Sequence, residues 1–152
     1  MRRRNRTGIT TGEKLSRLPQ IDAYTLTLMV DAGDHFRDLA PYVASIDSSG
    51  TVAFQATLND GSTGVFISAG EQMITVADTV GSIFSHFYSH PDIGDDGSLC
   101  FYAGLKSGGQ GVLRTSGGQV TAIATTGADS PFACIGPLGP HHEPCRAGRL
   151  SR

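Results

Sequence analysis

Asp47-Ser-Ser-Gly50-Thr-Val-Ala-Phe54-Gln-Ala-Thr-Leu58-Asn-Asp-Gly61-Ser-Thr-Gly64-Val65 is written a second time as Asp95-Asp-Gly97-Ser-Leu-Cys-Phe101-Tyr-Ala-Gly-Leu105-Lys-Ser-Gly108-Gly-Gln-Gly111-Val112. Gly50 and Gly97, Phe54 and Phe101, Leu58 and Leu105, Gly61 and Gly108, and Gly64 and Gly111 each stand 47 positions apart. The same register carries Gly70 onto Gly117, Ala77 onto Ala124 and Thr79 onto Thr126. Self-similarity at a fixed period of this size marks a repeat architecture, in which each copy buries its apolar faces against its neighbours.

Inside each copy the apolar residues alternate. Val52, Phe54, Ala56 and Leu58 fall on one face of an extended strand, and Thr51, Ala53, Gln55 and Thr57 on the other. The second copy keeps the pattern with Leu99, Phe101, Ala103 and Leu105. Asn59-Asp60-Gly61 is a hairpin signal, because these residue types tolerate the positive φ of tight turns. Four short antiparallel strands per copy are therefore expected, near 43–46, 51–58, 64–68 and 72–77, then near 92–93, 98–105, 111–115 and 119–125.

Working outward, residues 42–88 form a first repeat and residues 89–136 a second. Residues 24–41 read as the closing half of an earlier repeat. Tyr24 to Asp31 alternates threonine with apolar residues like a strand, and Leu26, Val30 and Asp31 lie over Met73, Ala77 and Asp78. Phe36, Leu39 and Pro41 then read as a connection with aromatic anchors, with a short helical turn over residues 34–39 as its rival. Residues 1–23 are a polar segment. Residues 137–152, rich in Pro and Arg, are a tail or the start of a cut repeat.

Composition agrees with an all-β chain. The 152 residues include 20 Gly and no Trp, and only 17% are charged, so turns are plentiful and helix-favouring charge pairs few. A net charge of -2 gives no general attraction to nucleic acid, and Arg2-Arg3-Arg4-Asn5-Arg6 reads as a solvated terminus. No apolar run is long enough to span a bilayer, and neither a signal peptide nor an anchor is visible. Cys100, Cys134 and Cys145 are odd in number and form no C-x-x-C pair, so neither a disulfide framework nor a zinc knuckle is indicated.

The pattern Asp47-x-x-Gly50-x-Val52-Ala53-Phe54, continued by Leu58-x-x-Gly61-x-x-Gly64-Val65-Phe66, resembles the bacterial tandem repeat family named after its motif Asn-x-x-Gly-x-x-Ala-Phe. Asp47 and Asp95 stand where that family usually has Asn, and Leu99-Cys100-Phe101 replaces Val-Ala-Phe. The resemblance implies a β-propeller-like fold, an exported or surface-attached setting and an unassigned molecular function. Four strands per 47 residues is one propeller blade, and two and a half blades cannot close a ring of about four to eight. The expected partners are accordingly other copies of this chain or further repeats of a longer one.

Chemistry is sparse. His86-x-x-x-His90-x-Asp92 offers two imidazoles and a carboxylate as candidate zinc ligands, and His141-His142-Glu143-x-Cys145 has suitable atom types in a proline-rich stretch. Asp92-x-x-Asp95-Asp96-Gly97 is not an EF-hand loop, since Gly94 and Ala103 occupy positions that must carry oxygen ligands. Asp47 and Asp95 instead suit Asx-turns that open each long strand. No nucleophile elbow, P-loop or dinucleotide fingerprint occurs, and no cofactor is expected. The sequence favours a binding or structural module, with a metal-dependent hydrolase or lyase using His86, His90 and Asp92, or a truncated fragment, as alternatives.

Overall fold

The computed structural model describes residues 25–135 apart from Asp34, Glu71 and Cys134. The expectations for residues 1–23, for Tyr24 and for residues 136–152, including His141, His142, Glu143 and Cys145, lie outside the described residues. The chain divides into two compact units, Met1–Val30 and Asp31–Arg152. Of the first unit only residues 25–30 are described, and they join no strand. The strand expected up to Asp31 is therefore not formed over its described part.

Among the described residues the second unit is all β, with two antiparallel sheets of five strands. The first contains β1 (Phe36–Leu39), β2 (Ser45–Ile46), β3 (Val52–Leu58), β4 (Thr63–Ala69) and β5 (Gln72–Asp78). The second contains β6 (Phe84–Phe87), β7 (Asp92–Ile93), β8 (Leu99–Leu105), β9 (Gln110–Ser116) and β10 (Gln119–Thr125). Their orders correspond: β1-β3-β4-β5 with β2 also on β3, and β6-β8-β9-β10 with β7 also on β8.

Each sheet thus has one strand more than the four expected, because its outer edge is split. β1 pairs with the end of β3 at Ala56, Thr57 and Leu58, while β2 pairs with its start at Val52 and Ala53. Phe36 is consequently neither in a connection nor in a helical turn. It is a strand residue opposite Leu58, where a ring can cover the face that β3 presents.

Glycine chemistry sets the hairpins. Leu58 N–H donates to Ser62 O and Gly61 N–H to Leu58 O, and Gly61, at φ 91°, supplies the left-handed step. Asn59 and Asp60 keep negative φ, so of the three turn residues the glycine alone uses its conformational freedom. Asp60 Oδ1 closes the turn by accepting from Ser62 N–H at 2.9 Å. In the second sheet Leu105 N–H donates to Gly109 O and Gly108 N–H to Leu105 O. A Cβ on Gly109 would lie 2.5 Å from Thr126 O, so this glycine is required for close approach as well as for its φ of +82°.

The sheets stack through unlike faces. Directly opposed residues share a face, so Phe36, Phe54 and Phe66 lie together on one side of the first sheet, with Ala53, Val65 and Ile67 on the other. Phe84, Phe87, Phe101 and Leu113 share the side of the second sheet that corresponds to the Phe36 side of the first. One core joins Ala53, Val65 and Ala77 to Phe84, Phe87, Leu99, Phe101, Ala103 and Leu113. In it Phe101 meets Phe84 edge-on at 5.6 Å, the offset geometry that ring quadrupoles favour. Polar bonds fix the rim, with Ile93 N–H donating to Ser45 Oγ at 2.7 Å and Ser48 N–H to Asp95 Oδ1 at 2.9 Å.

Candidate functional site

The sequence-predicted histidines and acids border the outer face of the second sheet, the side turned away from the shared core. His86 lies opposite Gly104 and Asp92 opposite Cys100, on the same face of β8 as Tyr102. Gly104 and Cys100 are four residues apart on that strand, which at about 3.3 Å per residue separates the two ends by about 13 Å. An imidazole and a carboxylate with two bonds of about 2 Å, set at the tetrahedral angle zinc prefers, fall short of that span.

His90 does meet Asp92, with Nε2 3.5 Å from Oδ1, and its Nδ1 lies 3.3 Å from Ser89 Oγ. His86 instead has Nδ1 2.9 Å from Ser85 Oγ and stacks edge-on against Tyr88 at 4.2 Å. Among the described residues no three His, Cys, Asp or Glu side chains gather in a group able to hold a metal ion.

Sequence reasoning missed the centre of this face, a linked pair of tyrosines. Tyr88 and Tyr102 pack at 4.7 Å, and Gln110 joins their hydroxyls: Tyr102 O–H donates to Gln110 Oε1 at 2.6 Å, and Gln110 Nε2 donates to Tyr88 Oη at 3.1 Å. Burial, followed by the neighbouring Tyr88, holds the Tyr102 phenol above the ordinary tyrosine range. The available signal was positional. Tyr102 and Gln110 occupy the places of Gln55 and Thr63, so a polar face could have been read from the copy that differs.

Beside Tyr102, Ser89, His90, Asp92, Cys100, Val112 and Ile135 line a cleft of about 140 Å³. That is well below the roughly 300 Å³ at which small-molecule pockets begin. Cys100 is half-buried, in no disulfide and not hydrogen-bonded to His90 or Asp92, so the three do not form a nucleophile, base and orienter in hydrogen-bond contact.

The aspartates of the repeat have a different task from catalysis. Asp47 Oδ1 accepts from Ser49 N–H at 2.9 Å, Ser49 Oγ–H at 2.7 Å and Thr51 N–H at 2.8 Å. The Ser49 hydroxyl leads the interactions that pull its pKa below the ordinary aspartate value. Asp95, expected to do the same, does not. Gly94 stands 47 positions after Asp47 and repeats its backbone bonds, with Gly94 N–H donating to Ser98 O and Gly97 N–H to Gly94 O. Lacking a side chain, Gly94 leaves room into which Asp96 turns back, to accept from Ser98 N–H at 2.9 Å. Asp96, whose pKa is lowered chiefly by Ser98, also holds Arg114 at 2.9 Å, and Asp95 is free to reach Ser48.

Comparison with models of protein families, with curated proteins and with solved structures finds no match to this chain.

Proposed function

We propose that this chain is a section of a propeller-type tandem-repeat array and acts as a binding or structural module of an exported or surface protein. One observation carries the reading: corresponding positions make corresponding bonds. Ala40 N–H donates to Gln55 O as Tyr88 N–H does to Tyr102 O, and Thr79 N–H to Thr63 O as Thr126 N–H does to Gln110 O. Gln55 Nε2 donates to Phe87 O at 3.3 Å, and Tyr102 Oη lies 3.0 Å from Ile135 O. The second of each pair lies 47 or 48 positions downstream.

Stacking a sheet's aromatic side on its predecessor's other side is open-ended, as in repeat proteins and propellers, where each unit contacts its neighbours. Work done by such a chain lies in the surfaces it presents. The rival is a metal-dependent hydrolase or lyase centred on His90 and Asp92, and metal analysis separates the two. A module yields protein without stoichiometric zinc, and His90→Ala leaves its unfolding transition within about 0.5 kcal/mol, the usual range for surface changes. One zinc per chain that is lost in the variant would favour the enzyme.

A further inference from the structure

We infer that Tyr88 and Tyr102 form a modification site, at which one-electron oxidation joins the two rings in a dityrosine cross-link within one chain. The inference stands apart from the array reading. The ring centroids lie 4.7 Å apart, with the planes inclined by 32°. One amide serves both hydroxyls, since Tyr102 O–H donates to Gln110 Oε1 at 2.6 Å and Gln110 Nε2 donates to Tyr88 Oη at 3.1 Å. The rings therefore lie with like ends together, and the carbons beside one hydroxyl adjoin those beside the other. Those are carbons on which a phenoxyl radical carries its unpaired electron.

The step balances with hydrogen peroxide as the oxidant, acting through a haem peroxidase. Each phenol gives up one electron and one proton, and the two radicals pair their electrons in a new carbon–carbon bond between positions next to the hydroxyls. The hydrogen on each joined carbon then leaves as a proton while the oxygen of that ring regains one from water, which restores both phenols. In sum two electrons and two protons leave the chain, and one peroxide becomes two waters. Rings already in contact couple without a bimolecular encounter, so position rather than exposure selects the pair. Tyr102 is 6% exposed and Tyr88 half-buried, so the electrons leave by way of Tyr88.

The pair belongs to the second sheet alone. Ala40 N–H donates to Gln55 O as Tyr88 N–H does to Tyr102 O, so alanine and glutamine hold the two places in the first sheet. Tyr42 is 42% exposed, yet among the described residues it packs against no other ring. Exposure and geometry thus favour different tyrosines. Tyr88 follows β6 and Tyr102 lies within β8, so the new bond closes residues 88–102, which carry β7, into a ring. Such a closure removes conformational freedom from the unfolded chain, and thiols do not reverse it.

The test treats the full chain with peroxidase and hydrogen peroxide, once folded and once in urea, and then reduces any disulfides. Cleavage before aspartates parts Tyr88 from Tyr102 at Asp92, Asp95 and Asp96. The expected product of the folded chain is peptide 78–91 joined to peptide 96–128, lighter than their sum by two hydrogen atoms, in protein that still has the mass of one chain. Its yield should drop several-fold in urea, a comparison that needs no variant. Tyr88→Phe and Tyr102→Phe should each lose the product with the β spectrum kept, and Gln110→Leu, which no longer gathers the hydroxyls, should lower its yield. Products confined to Tyr42, links that join two chains in place of this one, or an equal yield in urea overturn the proposal.

Discussion

At the residue scale, the aspartates that open the long strands are the most informative side chains. Their role as Asx-turn acceptors was legible in the sequence, because Asp followed by Ser, Gly or Thr competes for backbone amides two residues on. Which aspartate holds the second turn was not legible. A glycine at position 94 makes the side chain at 96 fold inward, and motif alignment weighs residue types but not the space that a missing side chain leaves. The three bonds to Asp47 also carry a pH signature. A carboxylate whose folded pKa is depressed contributes stability that is complete above the unfolded value of about 3.9 and is lost as pH falls through the folded one. The urea midpoint should hence fall as pH drops from about 5 to about 3. Asp47→Asn, which keeps an acceptor but not the charge, should reduce that slope while leaving the spectrum unchanged. An identical slope in the variant would mean that other carboxylates govern acid unfolding.

At the element scale, the long strands and their hairpins could be read from alternation and from glycine-bearing turns. β3, β4, β8 and β9 lie within a residue or two of their expected places. Of the split edge strands, β2 and β7 were legible too, within residues 43–46 and 92–93, but β1 and β6 were not. Phe36–Leu39 and Phe84–Phe87 are four residues long with two buried phenylalanines between them at the leading position, too short for a period to declare itself. Their conformation is imposed by the free edge of the long strand beside them, a tertiary effect that overrides local propensity. The same element gives a comparison internal to the chain. Phe84 and Phe132 have matching backbone bonds, but the first is 4% exposed within the shared core and the second 49% exposed. Phe84→Ala should cost about 3–5 kcal/mol, the loss for a buried ring and its cavity. In dilute, monomeric protein, Phe132→Ala should cost within about 0.5 kcal/mol. Chemical denaturation of the pair measures whether position in the repeat or cover by a following sheet decides what a phenylalanine contributes. Equal losses would show that Phe132 is packed as Phe84 is.

At the scale of the whole molecule, two sheets whose corresponding residues stand 47 positions apart bury one shared layer. That the described chain is all β was legible in the sequence, in its alternation and its glycine-bearing turns. The histidine site that the spacing suggested comes together only in part, since His90 meets Asp92 while His86 and Asp92 oppose residues at opposite ends of β8. Stability in such a stack is close to a sum of intrinsic terms for each unit and a term for each contact between units. A single copy of the sheet pair has one such contact. Writing residues 84–131 once more after residue 131 adds one unit and one contact, and it places a new Phe84 where Phe132 now stands exposed. Since the intrinsic term of a lone unit is unfavourable and the contact term favourable, the longer chain is more stable only if the added sheet seats on Tyr102 and Val112 as the second sheet seats on Gln55 and Val65. The expected outcome is a higher melting temperature than that of the natural chain, a steeper urea dependence because more surface is exposed on unfolding, and loss of the gain on Val112→Arg. An unchanged melting temperature with a second, weaker transition would show the added sheet hanging free, and the matched hydrogen bonds would then describe two similar sheets rather than a unit that can be repeated.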